Sequence, residues 1–79
     1  MRGRLIQAAV SGARAIIPSI ETCEARDAPN RDGIEFVFDV PGRAAPVRLF
    51  VSTLSLVQTD NPEYVVKMAC MRGLEETSA

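Results

Sequence analysis

The segment Ile34-Glu35-Phe36-Val37-Phe38-Asp39-Val40 decides the reading of this chain. Its apolar positions recur every second residue, the period of a strand with one buried face. Ile34, Phe36, Phe38 and Val40 share that face, and Glu35, Val37 and Asp39 share the other. Just upstream, Asp27-Ala-Pro-Asn-Arg-Asp-Gly33 is dense in turn formers and predicts a hairpin loop longer than two residues. Downstream, Pro41 to Pro46 forms a second turn region. From Val47 to Val51 the alternation resumes, with Val47, Leu49 and Val51 inward and Arg48 and Phe50 outward. Arg48 then lies on the outer face with Glu35 and Asp39, which predicts a cross-strand ion pair. Ser19 to Arg26 reads less clearly: Ile20, Thr22 and Cys23 favour a short strand, while Glu21 and Glu24 dilute it.

Helical periodicity flanks this strand region. Over residues 4–17, Ile6, Val10, Ala13 and Ile17 recur at helical spacing with Leu5, Ala9 and Ile16 beside them. Arg4, Gln7, Ser11 and Arg14 line the opposite side. Pro18 ends this helix. After Val51 two readings stand: Ser52 caps a short helix over Thr53–Gln58, or the strand runs on. The first is preferred. Asn61-Pro62-Glu63 is a helix start, with Asn61 as cap, Pro62 in the first turn and Glu63 at the positive end. This helix is expected over 62–72, with Gly73 as its stop. The order of elements predicts an α+β domain: a small antiparallel sheet of about three strands with an N-terminal and a C-terminal helix packed on one face. Residues 1–79 form a single small domain, in which 73–79 is expected to be a loose tail.

Composition narrows the function classes. A chain of 79 residues hides only about 60–65% of its unfolded surface, enough for one core and no separate cofactor domain. It contains no histidine, which removes the commonest general base and metal ligand and every Ser-His-Asp or Cys-His arrangement. Cys23 and Cys70 stand alone with no zinc-binding spacing and read as small core residues. Neither phosphate-cradling glycine motif is present, and Glu24, Asp27 and Asp32 lack the spacing of a calcium loop. No catalytic residue, metal or cofactor is expected. Gln7, Ser11 and Arg14 interrupt the N-terminal apolar stretch, so no secretory signal is read, and no apolar run approaches membrane-spanning length. The chain is therefore read as cytoplasmic, with both thiols reduced.

Charge is segregated although the net charge is −1. Arg2, Arg4 and Arg14 precede Pro18 with no acid among them. Glu21, Glu24, Asp27, Asp32, Glu35 and Asp39 then face only Arg26 and Arg31, and Arg43 and Arg48 follow. Those six acids are the candidate partner-binding residues, suited to a basic groove on another macromolecule. In the last helix Tyr64, Val65, Val66, Met68, Ala69, Cys70, Met71 and Leu74 exceed the one apolar stripe such a helix needs. Tyr64, Val65, Met68 and Met71 are therefore candidates for self-association, and a homodimer is the implied partner. Direct nucleic-acid binding is disfavoured, because Phe50 is the only aromatic candidate for base stacking on the outer sheet face.

In whole-chain profile the sequence resembles the small phage- and prophage-encoded anti-CRISPR proteins: tens of residues, one α+β core, no catalytic kit, no cofactor loop and segregated surface charge. The resemblance leans towards inhibitors of type I effector complexes. It rests on no shared motif, so no functional residue is carried over from it. It implies a non-enzymatic protein of a bacterial host cell that binds a subunit of the nucleoprotein complex Cascade and blocks target-DNA binding or nuclease recruitment. The alternatives are a small homodimeric accessory or regulatory protein, and a weak nucleic-acid binder using its arginines.

Overall fold

The structure, a computed structural model, describes residues 2–78. Helix α1 (Arg2–Ile16) turns at Pro18 into three strands, β1 (Glu24–Asp27), β2 (Gly33–Phe38) and β3 (Val47–Ser52). Helices α2 (Thr53–Val57) and α3 (Pro62–Ser78) follow. The strands form one antiparallel sheet in the order β1-β2-β3. Helices α1 and α3 lie side by side over one face of it, giving the expected α+β architecture. Leu5 borders Pro62 at one end and Gly12 meets Lys67 further along, so the two helices run in the same direction.

Period-two alternation places the core. Phe36 stands between Ala25 and Leu49, Phe38 opposite Val47, and Ile34 opposite Val51. Phe36 and Phe38 are fully buried beneath Leu5, Ala9 and Ala13 of α1 and Val66, Cys70 and Leu74 of α3. Val40 follows the end of β2 and packs against this cluster from outside the sheet.

The stripe that α1 buries is rotated from the expected one. Leu5, Ala9, Gly12 and Ala13 are buried, while Ile6 and Val10 are only half-buried. The cause is the seam with α3: a Cβ on Gly12 would collide with the Lys67 carbonyl. Such a backbone approach needs small residues in the contact, and the Ala9-Gly12-Ala13 surface supplies them. The larger Ile6 and Val10 are turned to the flank.

The short elements obey their local signals. Ser52 caps α2, its Oγ accepting from the Ser55 N–H at 3.1 Å, so the strand stops there and a helix follows. Asn61 caps α3, its Oδ1 accepting from the Tyr64 N–H at 3.1 Å. Asn30, in the hairpin loop, takes the left-handed conformation that asparagine tolerates.

Gly73 does not stop α3, and no loose tail begins there: the helix runs to Ser78. A Cβ on Gly73 would collide with the Leu49 side chain, so this glycine serves close packing of α3 on β3. The final turns are tied by the Thr77 hydroxyl donating to the Gly73 carbonyl at 2.7 Å. Arg43 from the β2–β3 loop donates to the Thr77 carbonyl at 2.7 Å. The part of the expected tail at Ala79 lies outside the described residues.

Candidate functional site

Both helices cover the same sheet face, so the other face is left to solvent. Register places Glu24, Arg26, Glu35, Val37, Arg48 and Phe50 on it. Arg48 stands opposite Val37, and the expected Arg48 ion pair is replaced by one between Arg26 and Glu35, which are direct cross-strand partners. Arg26 donates from Nε and Nη2 to Glu35 Oε1 at 3.0 and 2.9 Å. Arg31 of the hairpin loop lies over the Phe50 ring, 3.6 Å from its centroid. That covers the single aromatic of this face with a cation.

The hydrogen-bond phase of the sheet fixes which backbone groups stay unpaired. The Ala28 N–H donates to the Gly33 carbonyl. Bonded pairs alternate along an antiparallel ladder, so Arg26 pairs with Glu35 and Glu24 with Val37 in the bonded positions. The N–H and C=O of Ala25 therefore point away from β2, out of the sheet edge. Two adjoining hollows follow this edge and share Ile6 and Thr22. One, of about 640 Å³, runs past Cys23, Ala25, Val37, Asp39 and Arg48. The other, of about 500 Å³, is bounded by Val10, Arg14 and Glu21. Half-buried Ile6 and Val10 form the helix wall of this cleft.

The six acids do not form one patch. Asp27 is held by Arg2, Nη2 to Oδ1 at 2.8 Å, and Glu35 by Arg26. Asp32 accepts from the Thr53 hydroxyl at 2.9 Å through Oδ1 and from the Thr53 N–H through its carbonyl. Glu21, Glu24 and Asp39 remain, exposed, around the cleft at the β1 edge. Among the described residues the ion pairs are those of Asp27 and Glu35. Of the candidate self-association residues, Tyr64, Val65 and Met68 border a shallow groove with Ala69 and Arg72. Met71 is half-buried and stands outside it. Val66, Cys70 and Leu74 explain the remaining apolar excess of this helix, since they are fully buried.

Nothing in the sequence pattern singled out Ala25, Arg26, Ile6 or Val10 as surface determinants. The alternation of Glu24 and Arg26 is visible in the sequence, but the acids around it obscure the strand. The half-exposure of Ile6 and Val10 follows from the α1–α3 seam, which periodicity alone does not locate.

Burial pushes the Cys23 thiol up to about 11. Burial, and secondarily the proximity of Cys23, pushes Cys70 to about 12. Both are protonated near neutral pH and lack the thiolate that nucleophilic chemistry requires. Both are free. Among the described residues no three acidic or cysteine side chains converge as a metal site, and no helix is long and apolar enough to cross a membrane. No family model, curated protein or solved structure matches this chain.

Proposed function

We propose that this protein is a non-enzymatic inhibitor that docks through its acidic cleft rim on a basic surface of a type I CRISPR effector complex, blocking target-DNA binding or nuclease recruitment. One observation carries the docking mode. Glu21, Glu24 and Asp39 stand exposed around an open cleft with no ion-pair partner among the described residues, while Asp27 and Glu35 are paired with Arg2 and Arg26. Carboxylates left free beside a concave surface raise the encounter rate with a basic partner and select its orientation. The whole-chain resemblance to anti-CRISPR proteins supplies the class of partner.

The test is a mobility-shift assay of target-DNA binding by purified Cascade, with and without the protein, paired with nuclease recruitment to the DNA-bound complex. The wild-type chain should block one of the two steps. The Glu21→Lys/Asp39→Lys variant should bind the complex at least tenfold more weakly. If the wild-type protein neither binds Cascade nor alters either step, the inhibitor reading is wrong. If the double variant inhibits as well as wild type, the acidic rim is not the docking surface.

A further inference from the structure

We propose that the β1 edge pairs antiparallel with the β1 edge of a second copy of this chain, joining two three-stranded sheets into one of six strands. This goes beyond the docking reading and is independent of the effector. Two observations fix the register.

The first is the hydrogen-bond phase. Ala25 presents its N–H and C=O outward, so a two-fold axis beside Ala25 lets each Ala25 donate to the carbonyl of the other. Asp27 has the same outward phase, and Cys23, which precedes the strand, falls opposite it across the axis. No proline lies within Glu24–Asp27 to break the new ladder.

The second is charge. With Ala25 on the axis, Glu24 falls directly opposite Arg26 of the second copy, and Arg26 opposite the second copy's Glu24. Both pairs stand on the open sheet face, at the closely spaced positions of the ladder. Arg26 already holds Glu35 of its own chain, so each guanidinium would bridge two carboxylates in a row across the sheet. A slip of two residues, the smallest that keeps the hydrogen-bond phase, puts Glu24 opposite Glu24 in one direction and Arg26 opposite Arg26 in the other. Like charges directly opposite are destabilising, so both neighbouring registers are disfavoured.

The same edge carries an apolar flank. Ile6 and Val10 are half-buried along the cleft beside β1. A second sheet seated on this edge brings the second copy's α1 alongside and covers them. Glu24 then serves the dimer, while Glu21 and Asp39 of each copy lie beyond the new pairing and stay free. Because the second copy occupies the same edge and cleft, self-association competes with docking of another partner there.

The experiment measures the oligomeric state of the isolated protein by sedimentation and light scattering over a concentration series. The wild-type chain should be dimeric at its upper end. Glu24→Arg alone should be monomeric, because both cross-pairs become Arg against Arg. Arg26→Glu alone should be monomeric, with Glu against Glu. Mixed in equal amounts, these two variants should form a heterodimer, because every cross-pair is again Arg with Glu. Ala25→Pro removes only an N–H that β2 does not use and should also give a monomer, with circular dichroism reporting retention of the fold. A monomeric wild-type protein at every concentration overturns the proposal. So does a wild-type dimer that survives Glu24→Arg and Ala25→Pro, which places the contact at the β3 edge or the Tyr64–Met68 groove. Failure of the two variants to pair when mixed, while each is folded, refutes the register. None of these outcomes depends on Cascade, so they stand apart from the inhibitor reading.

Discussion

The two faces of the same three strands are built to opposite rules. On the inner face Ile34, Phe36, Phe38, Val47, Leu49 and Val51 meet two helices, and Phe36 and Phe38 are lost to solvent entirely. On the outer face, residues one position away in sequence form an ion pair, a cation over a ring and an open cleft. The apolar core therefore lies on one side of the sheet, and the ion pair and the open cleft on the other. A single-residue offset along a strand should convert a folding defect into a surface effect.

The largest test of that contrast compares Phe36→Ala with Val37→Ala. Removing a fully buried phenylalanine ring costs about 3–5 kcal/mol, a large fraction of the stability of a domain this small. Phe36→Ala should be largely unfolded at room temperature in a urea titration followed by circular dichroism. Val37 is half-buried on the outer face, and its truncation should cost about 1 kcal/mol or less. Equal losses would mean that the outer face is also core. The buried layer has a pH signature as well. Cys23 and Cys70 are raised in the folded chain to about 11 and about 12 from the ordinary thiol value of 9.0. The unfolded chain loses its thiol protons first. Stability is then unaffected by these groups below about pH 9 and falls as pH rises from there towards 12. Cys70→Ala should flatten that alkaline decline in a series of thermal melts.

The helix seam offers a second comparison, between two glycines of α1. Ordinarily Gly→Ala inside a helix gains about 1 kcal/mol. Gly12→Ala should instead lose about 1–3 kcal/mol, because its Cβ meets the Lys67 carbonyl and the helices must separate. Gly3 has nothing within 4 Å of the same added atom, so Gly3→Ala should be neutral or stabilising by up to about 1 kcal/mol. Thermal melts of the two single variants read the difference in sign. A smaller effect follows from Asn61→Ala, which removes the acceptor for the Tyr64 N–H and should cost about 1 kcal/mol.

Strict alternation from Ile34 to Phe38 and from Val47 to Val51 is a local code, so the inner face, the sheet and its helical cover were all legible in the sequence. Ser52 and Asn61 are likewise local, since each acts within three residues of itself. Gly73 reads as a helix stop in the sequence because the residue that ends a helix by its left-handed backbone is also the one that permits a neighbour to approach. Only the position of Leu49 distinguishes the two. The acids of the candidate site read as one group because they are close in sequence. Their partners Arg2, Arg26 and Thr53 come from three separate elements. The cleft depends on the rotation of α1 about its axis, which the α3 seam sets.

The smallest effect concerns the outer face alone. Arg26 and Glu35 form its one ion pair among the described residues, with Glu35 mostly covered and Arg26 partly open to water. Both Arg26 bonds end on the same carboxylate oxygen, so replacement by glutamine removes the charge of the pair while leaving an acceptor oxygen in its place. A pair of this exposure contributes about 0.2–1 kcal/mol. Glu35→Gln should therefore lower stability by no more than about 1 kcal/mol in a urea titration. The loss should shrink in high salt, where the charge component is screened. Under the proposed β1-edge pairing its effect on self-association should exceed its effect on folding, because Arg26 loses the carboxylate that fixes its guanidinium over the sheet face. A variant that folds like wild type but dimerises more weakly separates the two faces at a single atom position. A variant whose folding falls as steeply as that of Phe36→Ala would erase the distinction between them.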